Sequence, residues 1–170
     1  KQILLIGGAG YVGSVIAEDL LKKELKVTVI DNFLYKNDDC LKYLGKYRFF
    51  KFIKGDLANL EKNQISLNKD TDVIILGGLV GDPITKKYPK LNNIINIEGV
   101  KKCIDYFDNK KIGKLIFIST CSNYGLISKD VTADEKFQLR PLSLYAKAKV
   151  EIENYIPVSY THLRAHETLL

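Results

Sequence analysis

Methionine and tryptophan are absent from this chain, and only two histidines occur in its 170 residues. Both histidines, His162 and His166, lie within the last nine positions. Because position 1 is Lys1, we expect the chain to begin inside a longer protein, so it carries no information on an N-terminal targeting signal. No apolar run approaches the roughly 18 residues that a membrane-spanning helix needs, which argues against a membrane protein.

Cysteine and arginine are also scarce. The three cysteines, Cys40, Cys103 and Cys121, are widely spaced and form neither a disulfide framework nor a metal-binding pattern. This usage suits a reducing cytoplasm, which is the localisation we expect. The formal net charge of +6 comes from 26 basic and 20 acidic residues, and the basic ones are mostly scattered lysines. Nucleic-acid-binding proteins more often cluster such residues and read bases with arginine, so we expect neither a metal nor a nucleic acid as ligand.

The remaining composition is that of an ordinary globular domain, with 46% hydrophobic and 27% charged residues. Short apolar runs predict buried strands of a parallel sheet at residues 2–6, 26–30, 48–53, 72–76 and 114–118. Helical spacing predicts helices at residues 11–23, 57–67, 89–107 and 143–156. The first of these helices is expected to have one apolar side, formed by Val12, Val15, Ile16 and Leu20.

Alternation of strands and helices predicts an α/β fold with a doubly wound parallel sheet, the Rossmann fold. Ligands of such sheets bind beyond the carboxyl ends of the strands. Each predicted strand ends in a glycine, a carboxylate or a hydroxyl. We therefore expect the functional site at this edge of the sheet.

Residues 157–170 are expected to be a non-native tail. Pro157 should interrupt the last helix, because a proline inside a helix removes a hydrogen bond and clashes with the preceding turn. The string at residues 158–168 resembles one reading frame of a transposase-type sequencing adapter, and it contains both histidines. The alternative is a native helix end of unusual sequence, which a genomic copy encoding the same tail would establish.

A glycine-rich turn at residues 7–13 joins the first strand to the first helix. It spaces Gly7, Gly10 and Gly13 three residues apart. Glycine there permits a tight turn, close approach of the backbone to a pyrophosphate and close packing of the helix on the sheet. The helix N-terminus offers free N–H groups to the phosphates. In this strand–turn–helix context the motif predicts a dinucleotide site, and the alternative is a purely structural turn.

Carboxylates follow the second and third predicted strands. Asp31 lies 18 residues after Gly13 and could accept hydrogen bonds from both ribose hydroxyls of an adenosine. It would repel a 2′-phosphate, which favours NAD over NADP. Its alternative role is to open a turn with Asn32. Asp56 could bind the adenine edge or serve as a helix N-cap.

Tyr145 and Lys149 are four residues apart in the last predicted helix and therefore share one face. An ammonium near a phenol stabilises the phenolate and lowers its pKa from about 10. Such a tyrosine can act as a general base near neutral pH. A pair of this kind is more often a surface pair, but here it follows a strand that ends in Ser119 and Thr120.

Taken together, these segments resemble the extended short-chain dehydrogenase/reductase family, which contains NAD-dependent nucleotide-sugar epimerases and dehydratases. The matching segments are residues 7–13, 29–32, 55–57, 96–100, 119–125 and 141–149. The resemblance covers residues 1–156. It implies a Rossmann cofactor domain that lacks its last strands and the substrate domain of a longer enzyme.

The resemblance also implies roles for single residues. Thr120 would hydrogen-bond the reacting sugar oxygen, Tyr145 would be the catalytic base, and Lys149 would hold the nicotinamide ribose and tune Tyr145. The NAD-binding residues would be Gly7, Gly10, Tyr11, Val12, Gly13, Asp31, Asn32, Asp56, Leu57, Gly77, Gly78, Asn96, Ser119, Tyr145 and Lys149.

The function implied is an NAD-dependent nucleotide-sugar epimerase, in which hydride leaves the sugar transiently and Tyr145 acts as general base. The full-length protein would be a homodimer, paired through the helices that carry Asn96 and Tyr145, and this chain alone would be inactive. Dehydratases of the family carry Asp-Glu directly after the catalytic threonine, where this chain has Cys121 and Ser122. A dehydratase is therefore disfavoured.

Two alternatives remain open at this stage. One is a nucleotide-sugar 4-ketoreductase or another NAD(P)-dependent alcohol dehydrogenase, and the other is a non-catalytic dinucleotide-binding relative.

Two segments also bear on the resemblance. After the fourth strand the family often has His-Leu-Ala-Ala, whereas residues 76–79 here read Leu-Gly-Gly-Leu. Residues 81–83 resemble a loop of some family epimerases, or form an ordinary turn.

Overall fold

The computed structural model of the chain describes residues 1–108, 110–128 and 130–159, with side chains as far as Ile156. Five strands in this part form one parallel sheet, and they are β1 (Gln2–Ile6), β2 (Lys26–Asp31), β3 (Phe50–Lys54), β4 (Thr71–Ile75) and β5 (Leu115–Phe117). Their order across the sheet is β3-β2-β1-β4-β5. The strand order reverses between β1 and β4, so the predicted doubly wound Rossmann fold is confirmed.

The helices of the described residues are α1 (Tyr11–Lys22), α2 (Cys40–Leu44), α3 (Asp82–Lys87), α4 (Pro89–Asn92), α5 (Val100–Phe107) and α6 (Leu144–Ser159). A π-helical turn, Asn93–Gly99, joins α4 to α5, so the long helix predicted at residues 89–107 is one continuous helical run. The helix predicted at residues 57–67 is shorter, a 3₁₀ segment at Leu57–Lys62. Helices α2 and α3 escaped prediction because each is only five or six residues long and carries too weak a periodic signal.

Two hydrophobic clusters cover the two faces of the sheet. Leu4 and Ile6 of β1 face the cluster formed with α5 and α6. Ile3 and Leu5 face the cluster formed with α1 and α2. Successive residues of a strand point to opposite faces, and both faces are buried. This arrangement explains why β1 reads as an uninterrupted apolar run.

The apolar side predicted for α1 does not lie wholly against the core. Val12 and Val15 are 55% and 60% exposed. The helix instead packs on the sheet through small residues, Gly13 and Ala17 among them. A Cβ atom built at Gly13 would lie 2.6 Å from the Gly8 Cα. The helix therefore starts directly on the turn, and larger side chains near its start must point outward.

The predicted interruption at Pro157 is wrong, since α6 runs on to Ser159. Pro157 lies near the end of the helix as described, where its missing N–H removes one hydrogen bond without ending the helix. Ser143 caps the other end, and its Oγ accepts a hydrogen bond from the Ala146 N–H at 3.1 Å. Most of the adapter-like string lies outside the described residues, so its non-native origin stays a prediction.

Candidate active site at the carboxyl ends of the strands

The ends of β1 and β4 meet at two glycines, where the strand order reverses. Gly7 has a φ of +76°, which L side chains rarely adopt. A Cβ atom built there would lie 2.2 Å from the Gly77 Cα. Neither backbone could approach the other so closely with a larger residue at position 7. The crevice in which doubly wound sheets bind ligands begins at this contact.

The N-terminus of α1 opens onto this crevice. Gly10 is its N-cap, and no side chain caps the helix there. A Cβ atom built at Gly10 would meet only the Gly7 carbonyl oxygen, at 3.9 Å. Tyr11 is 90% exposed, and Val12 is exposed as well. The first N–H groups of the helix therefore face open space, an arrangement that suits a phosphate.

Asp31 lies beside the glycine-rich turn at the end of β2. Its Oδ2 accepts a hydrogen bond from the Ala9 N–H at 3.0 Å, and its Oδ1 accepts one from the Phe33 N–H at 2.8 Å. Phe33 has a φ of +58° and stacks on Phe52 with ring centroids 4.9 Å apart. The turn-opening role of Asp31 is therefore present. Because each carboxylate oxygen has a second lone pair, the same group still has acceptor capacity for ribose hydroxyls.

Asp56 is a helix N-cap, which is one of the two roles predicted for it. Its Oδ1 accepts from the Ala58 N–H at 2.8 Å, at the start of the 3₁₀ segment. Its Oδ2 accepts from Asn32 Nδ2 at 2.9 Å, which ties the loop after β2 to the loop after β3. Leu57 follows, and a Cβ atom built at Gly77 would lie 3.0 Å from its Cδ2. Asn32 thus ties two loops together at this edge of the sheet, and Leu57 packs against Gly77.

Asn96 holds the loop after β4 in place. Its Oδ1 accepts from the Leu79 N–H at 2.6 Å, and its Nδ2 donates to the Leu79 carbonyl at 2.8 Å and to Asn92 Oδ1 at 2.7 Å. A Cβ atom built at Gly78 would lie 2.8 Å from Asn96 Oδ1. The residue is buried within the π-helical turn, a feature often found at functional sites. Its amide is engaged in this loop, and its place near the cofactor stays a prediction.

Lys149 and Tyr145 face the end of β5 from α6. The Lys149 Nζ donates to the Ile118 carbonyl at 2.7 Å and lies 4.5 Å from the Phe117 ring centroid. It lies 5.6 Å from the Tyr145 ring centroid. Burial lowers the pKa of Lys149 to about 8, because desolvation disfavours the charged form. A buried lysine next to a tyrosine is therefore part of this site.

The predicted lowering of the Tyr145 pKa by Lys149 is wrong for the chain as described. Burial raises the pKa of Tyr145 above its usual value, and the nearby Tyr35 and Asp82 add to the effect. Desolvation penalises the phenolate. The Lys149 ammonium meanwhile donates to a backbone carbonyl.

Ser119 and Thr120 lie just after β5, separated from it by Ile118. Thr120 caps the 3₁₀ segment Cys121–Tyr124, where its Oγ1 accepts from the Ser122 N–H at 3.3 Å. This bond leaves the hydroxyl proton of Thr120 for donation. Ser119 Oγ hydrogen-bonds Glu153 of α6, so its hydroxyl serves the packing of α6.

The sequence did not point to two further residues of this region, Glu153 and Tyr35. Glu153 lies one helical turn beyond Lys149, on the face of α6 that carries Tyr145. Its spacing of four residues from Lys149 and eight from Tyr145 was the signal that could have found it. Tyr35, in the loop after β2, accepts a hydrogen bond at its hydroxyl from the Val80 N–H at 3.0 Å. Only the fold brings it near Tyr145.

Two kinds of feature are absent from the described part of the chain. No group of three or more histidine, cysteine, aspartate or glutamate side chains there is arranged to hold a metal ion. Within the same residues, no helix combines the length and apolar character needed to cross a membrane.

The sheet order, the glycine-rich turn and the carboxylate after β2 define a Rossmann-type α/β protein with a crevice suited to a dinucleotide. Comparison with known families agrees: the chain belongs to the NAD dependent epimerase/dehydratase family, whose model matches residues 3–160. The family resemblance seen in the sequence is confirmed.

Among curated relatives, the chain is 29% identical over 157 residues to a UDP-glucose 4-epimerase of Streptococcus mutans serotype c, a match covering 89% of this chain and 45% of that protein. It is 31% identical over 171 residues to a probable UDP-arabinose 4-epimerase 3 of Arabidopsis thaliana, covering 91% of this chain and 39% of that protein. The chain thus spans less than half the length of these two relatives.

Among solved structures, a variant UDP-glucuronic acid 4-epimerase from Bacillus cereus, in complex with UDP-4-deoxy-4-fluoro-glucuronic acid and NAD, superposes with a TM-score of 0.83 at 27% identity. The match covers 95% of this chain and 53% of that one. NAD is therefore the cofactor that the family implies. The crevice fits it, because open space lies at Gly10 beside free helix N–H groups and next to the Asp31 carboxylate.

Proposed function

We propose that the full-length protein is an NAD-dependent nucleotide-sugar epimerase with Tyr145 as its general base. The observation that carries this proposal is the docking of α6 on the end of β5. The Lys149 Nζ is bound to the Ile118 carbonyl, two residues before Thr120, and Tyr145 lies on the same face of the helix. This docking supports a site in which a hydroxyl donor, a phenol and an ammonium act together at one edge of the sheet.

Each group has a separate task in this proposal. Bound NAD would accept a hydride from the sugar and return it. The Thr120 hydroxyl donates a hydrogen bond to the reacting sugar oxygen, and Tyr145 takes up and returns the proton of the sugar hydroxyl. The Lys149 ammonium, which lies beside the Tyr145 ring, would hold the nicotinamide ribose. The glycine-rich turn binds the pyrophosphate at the start of α1.

The net fate of the cofactor distinguishes this function from its alternatives. Full-length protein would be incubated with NAD and a panel of UDP-sugars, with products followed by NMR and NADH by absorbance. An epimerase interconverts two sugars without accumulating NADH. Net oxidation or reduction of the cofactor would identify a ketoreductase or dehydrogenase instead. Binding of NAD with no turnover of any sugar would favour a non-catalytic relative.

Asp31 is expected to set the preference for NAD over NADP. Asp31→Asn removes the negative charge but keeps an acceptor for one of the two backbone N–H groups. Removing a repulsion of about 1–4 kcal/mol should reduce the NAD preference by about fivefold or more, measured as the ratio of Kd values for the two cofactors. Asp38→Asn, an exposed change in the same loop, is the matched control. An unchanged ratio in Asp31→Asn would rule out the ribose-binding role.

A homodimer is also proposed for the full-length protein. Helices α4 and α6 pack side by side, and both present exposed apolar side chains. These are Leu91 and Ile94, on and just after α4, and Leu144 at the start of α6. Such a surface favours association with a second copy.

A further inference from the structure

Glu153 is the centre of a polar cluster between α6 and the segment that follows β5. Its Oε1 accepts hydrogen bonds from Ser119 Oγ and, at 2.9 Å, from Asn123 Nδ2. The Asn123 Nδ2 also donates to Ser119 Oγ at 3.0 Å. These three side chains form a closed triangle of hydrogen bonds, and Asn123 is only 2% exposed.

The cluster brackets Thr120. Ser119 precedes it and Asn123 follows it, so Glu153 binds the residues on both sides of the hydroxyl. The Asn123 Oδ1 is buried and has no hydrogen-bond partner within the described residues. The Asn123 amide is therefore held through its Nδ2 atom, and one of the two acceptors of that atom is Glu153. Loss of the carboxylate would loosen this segment from the helix.

The same carboxylate lies on the face of α6 that carries the proposed general base. Tyr145, Lys149 and Glu153 are separated by four residues each, and i to i+4 neighbours on a helix lie close together. Around Lys149, β5 contributes the Phe117 ring and the residue after it contributes the Ile118 carbonyl. Helix α6 contributes Tyr145 and Glu153. The charged or titratable groups that act on Tyr145 from other elements are Tyr35 and Asp82.

We propose that Glu153 is a positioning residue for the reaction assigned above, on which this inference rests. It docks the segment carrying Thr120 onto the helix face of Tyr145 and Lys149, and it is the counter-charge that keeps Lys149 an ammonium. Burial lowers the pKa of Lys149 to about 8, and Glu153 acts against that effect. Loss of Glu153 is therefore expected to lower activity mainly at and above neutral pH, where Lys149 would lose its proton without the carboxylate.

The test compares three variants of the full-length protein. Glu153→Gln keeps a hydrogen-bond acceptor and removes the charge, whereas Glu153→Ala removes both. Glu151→Gln, on the same helix, removes a surface carboxylate that pairs with Lys101 at 2.6 Å, and serves as the matched control because exposed ion pairs contribute little. The readouts are the pH profiles of kcat and KM, the Kd for NAD, and the melting temperature.

In Glu153→Gln the alkaline limb of kcat should move to lower pH, because the lysine loses its proton more readily without the carboxylate. A displacement of one pH unit would reduce kcat about tenfold on the alkaline side of the limb and much less at lower pH. Glu153→Ala should show the same displacement and a lower kcat at every pH, since the Thr120 segment is released as well. Glu151→Gln should match the parent profile.

Two outcomes would overturn the inference. One is a parent-like pH profile and rate in Glu153→Gln. The other is a fall in activity and melting temperature together, with the shape of the pH profile unchanged, which would indicate a merely structural role. The proposed function itself is tested separately with Tyr145→Phe. If Tyr145→Phe loses activity but the Glu153 variants show either of these outcomes, only the inference fails. If Tyr145→Phe keeps full activity, the proposed function fails.

Discussion

Replacing Tyr145 by phenylalanine should lower the kcat of the full-length protein by at least about 10²-fold, the usual contribution of a general base. The Kd for NAD should change little, because the variant removes one oxygen atom and keeps the ring beside the Lys149 ammonium. Single-turnover rates with a nucleotide sugar, together with calorimetric titration of NAD, measure the two quantities independently.

Tyr155 offers a matched control for this substitution. It lies on the same helix, ten residues further on, and its hydroxyl donates to Asp105 Oδ1 at 2.6 Å, away from the end of β5. Tyr155→Phe should keep the parent kcat and lose at most about 1–2 kcal/mol of unfolding free energy. Equal turnover in Tyr145→Phe and the parent would rule out Tyr145 as the base. Equal losses in both tyrosine variants would indicate damage to α6 in general.

Gly7→Ala and Gly10→Ala both alter the glycine-rich turn, but they should affect different properties. Gly7→Ala should lower the stability of the fold, whereas Gly10→Ala should weaken NAD binding. At Gly7 the φ of +76° and the 2.2 Å approach of a Cβ atom to the Gly77 Cα act together. Strain at positive φ and overpacking each cost about 1–3 kcal/mol. Gly7→Ala should therefore lose roughly 3 kcal/mol or more of unfolding free energy, measured by urea denaturation.

At Gly10 the same Cβ atom would meet nothing closer than 3.9 Å. Stability should stay within about 0.5 kcal/mol of the parent, while the methyl group enters the space in front of the helix N–H groups. Losing one hydrogen bond to a charged phosphate, worth about 1.5–3 kcal/mol, should weaken NAD binding at least tenfold. Unchanged NAD affinity in Gly10→Ala would show that the pyrophosphate does not bind at the start of α1.

The strand pattern was predictable because burial on both faces leaves a local signature. A strand covered on both sides is apolar along most of its length, as residues 3–6 of β1 and 73–75 of β4 are. The glycine-rich turn was predictable for a related reason. Only glycine fits where a turn, a helix start and a neighbouring strand meet within van der Waals distance, as at Gly7 and Gly13.

The environment of each side chain was not predictable in this way. The periodicity of α1 placed Val12 and Val15 on its apolar side, whereas the close contact of Gly13 with the turn leaves them exposed. The spacing of Tyr145 and Lys149 suggested a lowered tyrosine pKa. Burial raises it instead, because desolvation depends on everything packed around the ring.

The alternation of strands and helices along the chain, the family motifs and the spacing of Tyr145 and Lys149 were readable from the sequence. They depend on local periodicity and on residue types that few backbone geometries accept, and a linear chain already displays both. The closed hydrogen-bond triangle of Glu153, Ser119 and Asn123 joins positions about 30 residues apart, and the contact of Gly7 with Gly77 joins positions 70 apart. Charge, burial and hydrogen-bond partners are properties of such long-range neighbours. They exist only once the sheet has brought the strand ends together.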